Sequence, residues 1–123
     1  MYKHKLEQDL RCPMEYAVSA FSGKWKSRII CLLSLKGTLR YKEIKEATHG
    51  ITDNMLSAAL RELIAAQLLE RKQYEEIPLR VEYALTDKGR SLVPLLHSIC
   101  DWAVSAYGEG IRPDHNGCPY AEK

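Results

Sequence analysis

Apolar positions recur at helical spacing through most of the chain and switch to alternation in one stretch near its middle. The first helical run opens at Pro13, a residue suited to the first helical position, and continues through Ala17, Val18 and Phe21 until Ser22-Gly23 breaks it. A second helix follows at once. Trp25, Ile29, Leu32 and Leu33 stand at i, i+4, i+7 and i+8, so they share one face, leave Lys24, Lys26, Ser27 and Arg28 largely off it, and end at Gly37. Thr38 to Arg40 reads as a short extended piece, and Tyr41 to Ala47 as a brief helix with Ile44 inward, ended near His49-Gly50.

The next helix has the clearest start. Thr52 is a good N-cap, Asp53 lies in the first turn where the helix dipole favours an anion, and Ile51 and Leu56 occupy the positions of a hydrophobic staple. Leu56, Leu60, Leu63 and Ile64 make its inward stripe. The opposite stripe, Asn54, Ser57, Ala58 and Arg61, is small and polar with one long cation. The period then drops to two: Leu68 to Tyr74 and Arg80 to Leu85 read as strands joined by Glu75 to Leu79, a hairpin. Thr86-Asp87 caps a last helix to about Tyr107, along which Leu92, Leu95, Leu96, Ile99, Trp102, Ala103 and Ala106 keep a heptad-like spacing, with Pro94 expected to bend it. Val93, Cys100, Val104 and Tyr107 widen that apolar arc beyond what one small domain covers, so one face is left for a second copy of the chain.

This order predicts a mainly α fold with a two-stranded β-hairpin, of the α+β class. A short helix, a turn, a second helix and a hairpin form a winged helix-turn-helix. Residues 1–107 are expected to be one domain, dimerising through the last helix, about 87–107, and the Gly- and Pro-punctuated residues 108–123 a poorly ordered tail.

In such a motif the second helix enters the DNA major groove, where Arg pairs with guanine and Asn with adenine, each worth about 1–3 kcal/mol of discrimination. That assigns Thr52, Asn54, Met55, Ser57, Ala58 and Arg61 to the reading helix. Lys36, Arg40, Tyr41 and Lys42 are phosphate candidates at the front of the motif, and Arg80 at the hairpin tip is a candidate for phosphate or the minor groove. The expected partner is double-stranded DNA with a pseudo-palindromic operator, bound by a homodimer. A polar stripe can also be a solvated face, and the competing reading is a winged helix used for protein–protein contact without a sensing role.

Composition sharpens this in two ways. Of 123 residues, 46% are hydrophobic and 28% charged, as in a soluble globular protein; no membrane partner is expected, and the charged stretch Met1 to Leu10 lacks an export core, which points to the cytoplasm. The net charge of +2 excludes bulk coating of nucleic acid, but it is unevenly spread: residues 24–90 hold 13 basic and 9 acidic side chains, residues 91–123 only 2 and 4. Catalysis is not expected. There is no Gly-rich phosphate loop, no Gly-x-Ser-x-Gly and no His-Glu-x-x-His, and no cofactor is implied.

Four cysteines in a chain expected in the reducing cytoplasm do not predict a disulfide frame. Cys12 precedes Pro13 at a helix start beside Arg11, a setting that favours the reactive thiolate; it reads as a sensor of a small oxidant or electrophile, or equally as an inert thiol near an interface. Cys31 and Cys100 read as small buried hydrophobes, and Cys118, in the tail, could reach a cysteine of the other subunit. His97-x-x-Cys100 and His115-x-x-Cys118 imitate paired zinc ligands, but the first pair lies on an apolar helix, so no metal is expected.

Cys12-Pro13, Gly23-Lys24-Trp25, Arg40 to Ile44, Ile51-Thr52 to Leu56, Leu60 to Leu63, Leu68 to Arg71, and above all Pro78 to Thr86 with Gly89 and Trp102 together resemble the HxlR-type transcription regulators. The resemblance spans about Cys12 to Trp102. It implies a dimeric winged-helix regulator of bacterial transcription in which the helix matching Asn54 to Ala66 reads the operator, the hairpin is the wing and the terminal helices pair. The resemblance thus implies N- and C-terminal dimerisation helices, adding about 8–22 to the interface expected at 87–107. Several members of that family sense redox stress through a cysteine at the position of Cys12. The family motif often reads Pro-Pro-Arg-Val-Glu-Tyr; here Leu79 replaces the second proline, which implies a less rigid wing loop.

Overall fold

The second helical run, read from its spacing as one-faced, is the centre of the core. In a computed structural model describing residues 12–108, the elements are α1 (Pro13–Phe21), α2 (Lys26–Lys36), β1 (Leu39–Arg40), α3 (Tyr41–Ala47), α4 (Asp53–Ala65), β2 (Leu69–Tyr74), β3 (Arg80–Leu85) and α5 (Asp87–Tyr107). Along α2, Ile29, Ile30, Cys31, Leu32 and Leu33 are buried in unbroken succession, so the helix is covered on all sides over its middle. Gly37 ends it with φ 84° and an amide donating to Leu33 O at 2.9 Å, a conformation that favours glycine. Ile44, Leu56, Leu60, Leu63, Leu69 and Leu85 close on it from α3, α4 and the sheet.

The expected hairpin has a third strand. β1 pairs antiparallel with β3 (Leu39 with Tyr83, Arg40 with Glu82), giving the order β1-β3-β2, while β2 and β3 pair from Leu69 with Leu85 to Tyr74 with Arg80. Two residues are too few to show alternation, but their backbone groups satisfy the free edge of β3, which would otherwise stay unpaired.

The junction from α4 to β2 explains why the strand starts at Leu69 and not at Leu68. Gln67 adopts φ 65° and donates its amide to Ile64 O at 2.9 Å, and Leu68 donates to Leu63 O at 2.9 Å; together these make a Schellman stop with buried Leu63 and Leu68 in contact range. The start of α5 is fastened to this corner. Thr86 donates its amide to Leu68 O (3.1 Å) and its hydroxyl to Gln67 O (2.7 Å), and accepts from Gly89 N (3.0 Å). A Cβ on Gly89 would stand 2.2 Å from Leu68 O, so only glycine fits there.

Beyond that corner, contact with the core thins. Gly89 and Leu96 are the buried residues of α5, with Leu92 and Val93 packed partly against the core, and the helix continues through Pro94. Leu95, Ile99, Trp102 and Tyr107 are half or more exposed. On α1 no residue is buried, and Met14, Tyr16 and Val18 face solvent. α1 starts at Pro13 as expected, whereas residues 1–11 and 109–123 lie outside the described residues, and with them residues 8–11 of the expected dimerising segment, the tail beyond Gly108, His115 and Cys118.

Candidate nucleic-acid interface

α3, its turn and α4 form the helix-turn-helix. Glu43 Oε1 accepts from Arg40 N at 2.8 Å at the start of α3. The turn is built on Thr48, buried at 3% exposure, whose amide donates to Ile44 O (3.0 Å) and whose carbonyl accepts from Ile51 N (3.3 Å); Gly50 supplies φ 89°. Thr52 Oγ1 then accepts from Met55 N at 3.1 Å, and Ile51 and Leu56 are both buried, so the cap and the staple form as their spacing predicts.

Tyr41 ties the two helices together. Its hydroxyl donates to Asp53 Oδ1 at 2.8 Å and lies 3.3 Å from Asp53 O, while Lys45 Nζ stands 3.9 Å from the same carboxylate. The Ser57 hydroxyl acts to lower the phenol pKa, but desolvation and the Asp53 carboxylate outweigh it and hold it above the ordinary value. On α4, Asn54, Met55 and Arg61 are exposed and Ser57 and Ala58 half-buried, opposite the core residues Leu56, Leu60 and Leu63. Lys36, Arg40 and Lys42 are exposed near the start of the motif.

Arg80 is engaged differently from a free cation at a hairpin tip. Its guanidinium donates to Glu76 through Nε (3.2 Å) and Nη2 (2.8 Å) and to Glu82 through Nη1 (2.8 Å), and it stacks 3.9 Å from the Tyr74 ring centre. The hydrogen bond from Arg80 holds the Glu76 carboxyl below its ordinary pKa, and that same bond raises the guanidinium's. In this arrangement Arg80 braces the wing loop, which contains a cis Ile77–Pro78 bond.

One cationic group has no place in the expected set. Lys24 Nζ lies 4.8 Å and Arg28 Cζ 5.3 Å from the Trp25 ring centre, Trp25 abuts the Gly50 turn, and Lys26 Nζ pairs with Glu62 at 3.0 Å. The signal was legible: three cations around one tryptophan, and no acidic residue in the first turn of α2.

Cys12 is the half-buried N-cap of α1, with its carbonyl accepting from Tyr16 N at 3.2 Å. Cys31 is buried as expected, whereas Cys100 is only half-buried. Among the described residues no three His, Cys, Asp or Glu side chains gather as a metal-holding group, and no helix is long and apolar enough to cross a membrane.

Comparison with known proteins agrees with this architecture. The HxlR-like helix-turn-helix family model matches residues 20–110. An uncharacterised HTH-type transcriptional regulator of Bacillus subtilis, YdzF, is 45% identical over 98 residues, covering 80% of this chain and 90% of its own length. Among solved structures, the reduced form of the B. subtilis transcriptional regulator YodB is 37% identical with a TM-score of 0.69, covering 76% of this chain and 91% of that one. The redox regulator HypR in its oxidised form is 36% identical with a TM-score of 0.68, covering 76% and 96%.

Proposed function

Since the chain belongs to the HxlR-like family of helix-turn-helix transcriptional regulators, we propose that it acts as a homodimer that reads a pseudo-palindromic operator through α4 and changes its affinity when Cys12 reacts with an oxidant or electrophile. The observation that carries the reading is the Asn54, Ser57, Ala58, Arg61 stripe. It is slim enough for a groove about 12 Å wide, offers an amide and a guanidinium to base edges, and stands opposite the core-facing leucines. Arg40 and Lys42 serve phosphates beside it, and Tyr41 acts by holding α3 on α4. Arg80 reaches DNA only by exchanging a carboxylate for a phosphate.

Dimerisation is supported by apolar faces that the described residues leave exposed. Leu95, Ile99 and Trp102 fall at i, i+4 and i+7 on α5, and Met14, Tyr16 and Val18 are exposed on α1. Two copies related by a two-fold axis set their reading helices about 34 Å apart, one turn of DNA. The sensing role is supported by the position of Cys12 at the start of α1 and by likeness to HypR, which is described as a redox regulator. The chain acts in the cytoplasm and is not an enzyme, in keeping with relatives named as regulators.

Binding measured by fluorescence anisotropy on specific and mixed-sequence DNA tests the assignment. Arg61→Ala is expected to lose about 1–3 kcal/mol of preference for specific DNA, whereas Lys42→Ala weakens binding to every sequence alike. Equal preference in wild type and Arg61→Ala rules out α4 as the reader, and wild-type protein with no salt-dependent affinity for any DNA favours the protein–protein module.

A further inference from the structure

α4 has two flanks, and only one is served by the cations of α3. Successive helical residues advance by about 100°, so Asp53 and Glu62, nine apart, point about 180° from each other, and the Asn54–Arg61 stripe lies between them. Tyr41 of α3 contacts Asp53, and Lys26 of α2 contacts Glu62. The starts of α3 and α2 therefore bracket the stripe from opposite sides. A helix about 10–12 Å across fills a groove about 12 Å wide, so a phosphate wall stands along each flank.

We infer that Lys24 and Arg28, seated on Trp25, form a second phosphate clamp on the α2 flank of the reading helix, opposite Arg40 and Lys42. This rests on the reading of α4 given above. The two cations share one indole, within 4.8 and 5.3 Å of its centre, and among the described residues neither pairs with a carboxylate. Lys26, between them in sequence, is paired with Glu62, so that carboxylate is neutralised by its own partner. The first turn of α2 carries no acidic residue, and like charges collected there repel one another unless an anion joins them. The indole lies beside the Gly50 turn, 3.8 Å from where a Cβ would stand, which places the clamp next to the turn that leads into α4. Arg80, by contrast, is held by Glu76 and Glu82 and has to exchange a carboxylate before it neutralises a phosphate, which this pair need not do.

The test is the affinity of Lys24→Gln/Arg28→Gln for a mixed-sequence DNA duplex over a range of salt concentrations, with thermal melting recorded alongside. The log–log salt slope is expected to flatten by about 0.9 for each phosphate no longer neutralised, about 1.8 for the pair in each subunit, with the preference for specific over mixed DNA retained. Lys24→Gln alone, at an exposed position, gives half that change without disturbing the half-buried Arg28. An unchanged slope in both variants overturns the clamp while leaving α4 as reader, and so does a lowered melting temperature with the slope intact. Wild-type protein showing no salt-dependent affinity for this duplex overturns the α4 reading and the clamp together.

Discussion

α2 and α5 both carry apolar residues at helical spacing, yet one is submerged and the other half bare. α2 buries five residues in succession within 11, whereas α5 buries two of 21 and leaves Leu95, Ile99, Trp102 and Tyr107 out. The pattern fixes which residues share a face; what covers the face depends on the elements around it. α2 is enclosed by α3, α4, the sheet and α5 itself, whereas α5 offers the core one side, through Gly89, Leu92, Val93 and Leu96. An apolar face that the described residues leave uncovered is a face for something else, and in the proposed homodimer the second copy covers it.

Substitutions can break this comparison. Ile30→Ala on α2 removes a wholly buried side chain and should cost about 2–5 kcal/mol in chemical denaturation; a penalty below about 1 kcal/mol would mean that α2 is not the core. Gly89→Ala, at the corner that anchors α5, must shift Leu68 or the helix and is expected to cost about 1–3 kcal/mol in chemical denaturation. Ile99→Ala should cost less than about 1 kcal/mol in the dissociated chain, in keeping with an exposed position, but shift the sedimentation equilibrium toward monomer. The smallest effect concerns the wing. Glu76 titrates below its ordinary value of 4.5 because Arg80 bonds to it, so its contribution is complete above that pH and lost as pH falls through the lowered pKa. Glu76→Gln should therefore remove a slight acid sensitivity of melting and leave neutral-pH stability nearly unchanged, the group being exposed.

The same contrast explains what could be read from the chain alone. Helix starts were legible where side chains act on their own neighbours: Thr52 and Thr86 cap as their spacing predicts, and Ile51 and Leu56, at the staple positions, are both buried. The stop at Gln67 was not, because a non-glycine residue there is held by the bond from Leu68 N to Leu63 O and by the bonds of Thr86, eighteen and more residues away. β1 was legible as an extended piece but not as a strand of the sheet, because that identity lies in its partner, β3. In the candidate interface, the polar stripe of α4 was legible from period and side-chain size. The roles of Tyr41, tied to Asp53, and of Arg80, tied to Glu76 and Glu82, were not, since both depend on which group stands opposite in space. Lys24 and Arg28 were visible as charges, but their place on the flank of α4 depends on where α2 crosses it.

Hydroxyl-radical footprinting of the wild-type protein on DNA selected from a random pool tests the central claim most directly. The account predicts two protected half-sites in inverted orientation, about 10 base pairs apart centre to centre, matching reading helices about 34 Å apart. Protection of one isolated half-site, or a pool that yields no preferred sequence, would contradict it.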